Sequence, residues 1–404
     1  MAAKSLGLRD RLNAFLDMAD VPVESAEAGP LAGLTLGVKD IFDVKGYVSG
    51  WGNPDRFEEG KVAAATAPAV QKLLDAGARF IGKTQTEELA FSMLGQNVHF
   101  AHPVNPRAPD RVTGGSSSGS AAAVAGGLAD IGTGSDTGGS VRAPASFCGL
   151  IGLRTTHGAI SLEGTMPLAP SFDTFGWFAK DAAIYERVGE VMFGADPPLK
   201  AEGKPRLLSI APLDELVAGP AEAKEYGRMQ RSVGEALGWV KAVKPPPFSI
   251  DDLYWTTRKL QAYEAWGAHG EWISVKGRRI GQAIYDRFAF GKTVSAAEAI
   301  EETKKRDAFR AVFADLLGED GILVLPTVPC AAPLAASSDE EKGAFRERAI
   351  RLLCWSGLSG FPQISLPLGM VSGAPFGISL LGPAGSDLAL IRLGRRVIEA
   401  AGKA

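Results

Sequence analysis

Residues 113–142 read T-G-G-S-S-S-G-S-A-A-A-V-A-G-G-L-A-D-I-G-T-G-S-D-T-G-G-S-V-R. Two Gly-Ser-rich loops, 114–120 and 132–140, bracket an Ala-rich segment. Glycine frees the backbone to turn and to approach a ligand closely, and it leaves N–H groups unencumbered. A packed core has little use for so many hydroxyls and glycines in one span. The stretch reads as an active site. It also constrains the fold, because both loops must be hung from one short helix of small side chains, predicted over 120–130.

The flanks have α/β rhythm. Residues 31–39 look like a strand ending at Lys39. A helix over 66–76 follows, with Pro68 in its first turn, Val70, Leu73 and Leu74 on one face and Gly77 as its stop. A short strand over 78–82 and a helix over 87–93, started by Thr84 or Thr86, come next. Residues 131–134 are expected to leave the Ala-rich helix directly into the second loop. Ser140 is placed to cap a helix containing Pro144. A loop over 158–177, a helix over 181–192, a strand over 206–210 and a helix over 221–237 are expected. Helices carry aromatics through 253–310, and strands lie at 321–325, 360–367 and 377–381. At the N-terminus Leu8, Leu12, Phe15 and Leu16 have helical spacing and suggest an amphipathic helix.

The chain has 404 residues and a net charge of −3, with no basic stripe or run. That argues against nucleic acid and membrane surfaces as partners. The run 121–128 is too short to span a bilayer, and residues 1–20 lack a signal-peptide core. Cys148, Cys330 and Cys354 have no metal-ligand spacing and read as buried thiols of a cytoplasmic protein. No metal and no cofactor is expected. A homodimer is the commonest symmetric assembly for such a chain.

Three chemical readings compete. Residues 77–84 (G-A-R-F-I-G-K-T) match G-x-x-x-x-G-K-[ST]. That phosphate loop needs a strand before its first glycine and an open loop after it. Here a helix precedes Gly77 and the intervening residues look like a strand. Residues 115–119 (G-S-S-S-G) match G-x-S-x-G, the nucleophile elbow of an α/β-hydrolase-type esterase, with Ser117 as nucleophile. That motif needs a preceding strand and a later His. Residues 106–113 are poor strand material, and only His157 and His269 lie downstream. The third reading uses Lys39 at its strand end, with Ser116 and Ser140 each in a glycine loop. One helix-and-turn unit between them can bring both hydroxyls to one point.

These residues resemble the signature of the amidase signature family. The likeness runs through Gly114–Ser120 and Gly134–Arg142. It extends to Gly37-Val38-Lys39-Asp40, to Ser171-Phe172-Asp173-Thr174-Phe175-Gly176 and to Leu325-Pro326-Thr327. It is strong over 30–195 and moderate over 315–395, with a variable, mostly helical segment at about 195–315. Within the family it is closest to short stand-alone amidases similar to plant indole-3-acetamide hydrolase. The resemblance implies one domain over 1–404, with a large mixed β-sheet core covered on both faces by α-helices. It also implies cleavage of the C–N bond of a small primary amide, aryl- or indolyl-bearing by that likeness. Three departures stand out: Ser135 replaces the usual Thr before Asp136, Thr155 replaces Pro, and Trp355 lies near a frequent Asn.

The resemblance implies a catalytic set of Lys39, Ser116 and Ser140, with a cis peptide before Ser116. The chemistry agrees with it. A serine hydroxyl needs a base, and burial can make a lysine neutral enough to serve. Neutral Lys39 would deprotonate Ser116, which deprotonates Ser140 for attack. Asp40 would oppose this if its carboxylate pointed the same way. The backbone N–H groups of Thr137, Gly138, Gly139 and Ser140 are the expected oxyanion donors. Trp51, Phe91, Met93, Ser117 and Phe172 are the expected substrate contacts, with Tyr263 and Trp266 as further candidate walls. The rival within the family is the amidase component of a tRNA-dependent amidotransferase, which needs a companion chain.

Overall fold

The computed structural model describes residues 10–194 and 204–402. Leu8, in the expected N-terminal helix, and the Pro197-Pro198 pair lie outside those residues. The strands are β1 Thr35–Lys39, β2 Arg79–Thr84, β3 Ile131–Ser135, β4 Gly152–Arg154, β5 Phe175–Ala179, β6 Arg206–Ser209, β7 Lys241–Ala242, β8 Gly321–Pro326, β9 Gln363–Val371 and β10 Ala374–Leu381. The helices before the variable segment are α1 Pro54–Glu59, α2 Pro68–Asp75, α3 Ser118–Ala125, α4 Arg142–Cys148 and α5 Ala182–Phe193. Then come α6 Ala211–Asp214, α7 Pro220–Leu237, α8 Ile250–Ile273, α9 Gln282–Thr293, α10 Ala296–Leu317, α11 Asp339–Ser359 and α12 Asp387–Ala401.

The α/β class is as the sequence implies. The strands pair in two groups, ordered β2-β1-β3-β5 and β4-β9-β10-β8-β6-β7, each with parallel and antiparallel neighbours. They meet where Thr155 Oγ1 donates to the Phe175 carbonyl at 2.9 Å. Strand alternation shows helices on both faces of each group. On β5, Phe178 packs with the alanines of α3, while Trp177 on the other face stacks on Tyr185 of α5. On β9, Ser365 faces Ser146 of α4 across Gly377, while Leu366 and Ile364 face Gly394 of α12.

β3 accounts for the position of the opening stretch. A Cβ on Gly132 would lie 3.1 Å from Ser120, and one on Gly134 would lie 3.0 Å from Ser117 Oγ. The two glycines let α3 lie directly on the strand. Ala121, Ala122 and Ala123 are fully buried in that contact.

Four local expectations are corrected. The described part of the N-terminal segment is extended, with Phe15 bridging to Thr84 and Leu16 N–H donating to the Lys83 carbonyl at 2.9 Å. It covers β2, which would otherwise expose an open edge, and the Asp10 carboxylate takes the Leu12 and Phe15 N–H groups. Residues 87–93 hold only one tight turn, Glu88–Ala90, with Leu89 and Ala90 left-handed. There Glu87 satisfies the N–H groups of Gly95 and Gln96 in place of a helix ladder. Residues 132–135 continue as strand before the second loop begins. Ser140 caps nothing, because Asp136 accepts from the N–H groups of Val141 and Arg142 at 3.2 and 3.3 Å. Asp136 thereby leaves the Ser140 hydroxyl free of a capping role.

Candidate active site

β1 and β3 are parallel neighbours, so their carboxyl ends open at the same edge, where α/β sheets place ligands. β1 delivers Lys39 there and β3 delivers Ser135. Lys39 is 0% exposed. Its Nζ lies 2.7 Å from Ser116 Oγ, 2.8 Å from Ser135 Oγ and 3.0 Å from Ser117 Oγ. The Gly115–Ser116 peptide is cis. Among the described residues no carboxylate is hydrogen-bonded to Lys39. Burial therefore pulls its pKa down to about 7, against the weaker opposing pull of Asp136, Asp173 and Glu87.

Asp40 follows Lys39 in the chain but points away from it. Its carboxylate lies 3.2 Å from Lys83 Nζ, and Gly50 N–H donates to it at 3.0 Å. Lys83 is the lysine of the G-x-x-x-x-G-K-[ST] match. That match runs through β2, and Lys83 is buried as the partner of Asp40 and the Phe42 carbonyl. The phosphate-loop reading ends there.

The second loop is built on Asp136. Its carboxylate accepts from Gly139 N–H at 2.8 Å and from Arg142 Nε and Nη2 at 3.0 and 2.8 Å. Arg154 Nη1 adds a contact at 3.3 Å. Burial alone would raise the Asp136 pKa, but the two guanidiniums hold it well below the usual carboxylate range. Thr137 Oγ1 donates to Asp173 at 2.6 Å. Ser117 N–H donates to the Ser140 carbonyl at 3.4 Å and ties the two loops together.

Ser140 is 7% exposed and opens onto a small cavity with Thr137 and Gly138. The loop after β2 contributes Phe91 and Met93 to the wall, α8 contributes Gln261, and α11 contributes Arg346 and Ile350. Of the four expected oxyanion donors, Gly139 N–H is committed to Asp136. Those of Thr137, Gly138 and Ser140 have no acceptor among the described residues.

Three of the expected substrate contacts fall elsewhere. Ser117 is fully buried beneath Lys39, away from the cavity. His157 and His269 are held by the carbonyls of Pro170 and Pro167, so nothing there completes a Ser117 elbow. Trp51 lines a different depression, with the Arg56 guanidinium 4.6 Å from its ring. Phe172 is core, under Arg306 and beside Gly357. Tyr263 and Trp266 do not line the cavity either. They sit on α8, which shows the cavity Gln261. Sequence reasoning noted Ser135 only as a departure and missed Gln261 and Arg346. The alternation T-G-S at the end of β3 was the available signal for Ser135.

Comparison with known proteins identifies the family. The amidase family profile matches residues 12–220. Amidase 1 of Arabidopsis thaliana is 39% identical, over 94% of this chain and 96% of its own length. A glutamyl-tRNA(Gln) amidotransferase subunit of Thermus thermophilus is 33% identical, over 97% of this chain and 91% of its own. The outer envelope protein 64, chloroplastic, of Arabidopsis thaliana is 33% identical, over 95% of this chain and 70% of its own. A crystal structure described as that of an amidase superposes with a TM-score of 0.82 at 29% identity, covering 92% of this chain and 85% of that one. Among the described residues no helix is long and apolar enough to cross a membrane. With Lys39, Ser116 and Ser140 at one sheet edge, and a 39% identical relative matched over nearly its whole length, the chain belongs to the amidase signature family of C–N hydrolases.

Proposed function

We propose that this amidase hydrolyses small primary amides to carboxylic acid and ammonia through a Ser140 acyl-enzyme. One observation carries the reading: a fully buried lysine, free of carboxylate partners among the described residues, in contact with three serine hydroxyls. An ammonium has three donors and no lone pair, whereas a neutral amine has two donors and one lone pair. Each hydroxyl can accept or donate, so the three serines accommodate both forms of the lysine: the ammonium donates to all three, and the neutral amine donates to Ser117 and Ser135 while its lone pair accepts the Ser116 proton.

The Ser116 proton passes to Lys39 as Ser116 takes the proton of Ser140. Ser140 Oγ then bonds to the amide carbon. The N–H groups of Thr137, Gly138 and Ser140 are free to receive the oxyanion, and losing one such donor typically costs ~3 kcal/mol of barrier. The C–N bond breaks as the Lys39 ammonium returns its proton through Ser116 to the leaving nitrogen. Water repeats the sequence, bonding to the acyl carbon and releasing Ser140.

The likeness to plant Amidase 1 favours an amidase over an amidotransferase component, whose relative is less similar. Aryl and indolyl acyl groups remain within this reading. The test is ammonia release by the purified chain from acetamide, phenylacetamide and indole-3-acetamide, with mass spectrometry of the acylated protein. Turnover with an acyl adduct on Ser140 is expected. Silence on all three without a companion protein, or an adduct on Ser117, would sink the reading.

A further inference from the structure

Arg346 and Ile350 stand one helical turn apart on α11 and both face the Ser140 cavity. Arg346 has no hydrogen-bond acceptor and no ion-pair partner among the described residues. Two further guanidiniums press on it, Arg287 from α9 and Arg258 from α8. Arg287 donates to the Phe91 carbonyl, and Arg258 donates to the Tyr254 hydroxyl at 3.0 Å. Neither has a carboxylate partner among the described residues.

Two carboxylates pull the other way, Glu347 on Arg346 and Glu87 on Arg287, but neither forms an ion pair with the cluster: Glu347 is exposed, and Glu87 Oε1 accepts from the Gly95 and Gln96 N–H groups. The contrast with the other side of the site is sharp, because buried Arg142 and Arg154 share Asp136. Burial and its two like-charged neighbours push the Arg346 pKa well below its ordinary value. A guanidinium left unpaired against a protein interior is unfavourable unless a ligand brings the counter-charge. Ser140 and Arg346 line the same cavity, so the group that meets Arg346 belongs to the molecule that reaches Ser140.

We propose that the amide substrate carries a carboxylate on its acyl side and that Arg346 binds it, with Arg287 and Arg258 supplying the surrounding positive field. The inference rests on the amidase reading and names its substrate class: short monoamides of dicarboxylic acids. A planar guanidinium fork matches a carboxylate in two parallel hydrogen bonds. Ser140 and Arg346 line one cavity, so a single acyl group can present its carbonyl to one and its carboxylate to the other.

Succinamate and its neutral isostere 4-methylpentanamide test the proposal. Succinamate is expected to have the higher kcat/KM by at least ~100-fold, since a site built for a charged group rejects an analogue that leaves its polar groups unpaired. Arg346→Gln should abolish that preference, chiefly through the KM for succinamate. Arg346→Lys should restore part of it. Equal turnover of the two amides, or an equal loss on both in Arg346→Gln, would overturn the proposal. Calorimetry of succinate binding to Ser140→Ala protein gives a readout that needs no catalysis. Binding that disappears when Arg346→Gln is added supports the site, and absence of binding to Ser140→Ala overturns it. Failure of every amide to turn over would count against the amidase reading alone, and the succinate titration would still decide the anion site.

Discussion

Lys39 and Asp40 are consecutive in the chain and belong to separate buried charge systems. Lys39 Nζ meets Ser116 Oγ at 2.7 Å, while Asp40 meets Lys83 Nζ at 3.2 Å. At the end of a strand, successive side chains point to opposite faces. The carboxylate that could have kept Lys39 charged is thereby turned away from it and neutralised elsewhere. Asp40→Ala should consequently damage the fold, through an unpaired buried Lys83, before it damages the chemistry. A loss of ~3–5 kcal/mol in denaturant unfolding is expected. Unchanged stability with abolished turnover would show that Asp40 acts on the reaction directly.

The Lys39 pKa of about 7 sets the pH response. The base must be neutral, so activity requires pH above that value. Going down in pH, Lys39 gains a proton and kcat/KM should fall ~10-fold per unit below the limb, as for loss of one essential base. A profile flat from about pH 8 to about pH 5 would contradict the assignment of Lys39 as base.

Ser140, Ser116 and Ser117 differ in access, and substitution should separate them. Ser140 faces the cavity, Ser116 lies between it and the lysine by the proposed relay, and Ser117 is buried beneath the lysine. Ser140→Ala should abolish labelling by a fluorophosphonate and reduce turnover by at least ~10³-fold. Ser116→Ala should reduce turnover comparably. Ser117→Ala removes one hydrogen bond to Lys39, worth ~1 kcal/mol, and should cost turnover ~10-fold while sparing the label. Loss of the label in Ser117→Ala with retention in Ser140→Ala would reverse the roles.

Much of this site was legible in the residues because glycine and serine patterns record backbone approach. Gly132 and Gly134 in β3 permit α3 to lie on the strand, and that contact positions Ser116 and Ser117 over Lys39. Small residues at close spacing therefore announced the geometry. Helical spacing misled at 12–16, and the cap signals at Thr84 and Thr86 misled at 87–93, where other partners outcompete a local helix. The edge of β2 captures the first segment, and Glu87 holds the second. The pocket walls were illegible for another reason. Trp51 and Phe172 are large enough to line a pocket, but the sequence does not say which core or surface will claim them. Gln261 and Arg346 come from helices whose rotation about their axes is fixed only by packing against each other.

Gly139 is the point at which loop geometry and chemistry are hardest to separate, and it gives a sharp test. Its φ is +121°, a region that L side chains rarely adopt, and a Cβ there would lie 2.5 Å from Leu353 Cδ1. Leu353 can shift by rotating its side chain, so Gly139→Ala need not prevent folding. The backbone strain remains, at ~1–3 kcal/mol. Relieving it means rotating the peptide that donates from Gly139 to Asp136 at 2.8 Å. The adjoining Ser140 N–H and Oγ would move with it. Misplacing reacting groups by ~1 Å can cost ~10²-fold in rate. Gly139→Ala is expected to lower kcat ~100-fold while thermal stability falls by only a few degrees. Unfolding with no measurable soluble protein would show that the Asp136-centred loop is a foundation of the fold. Full activity would show that Ser140 is not positioned by this loop.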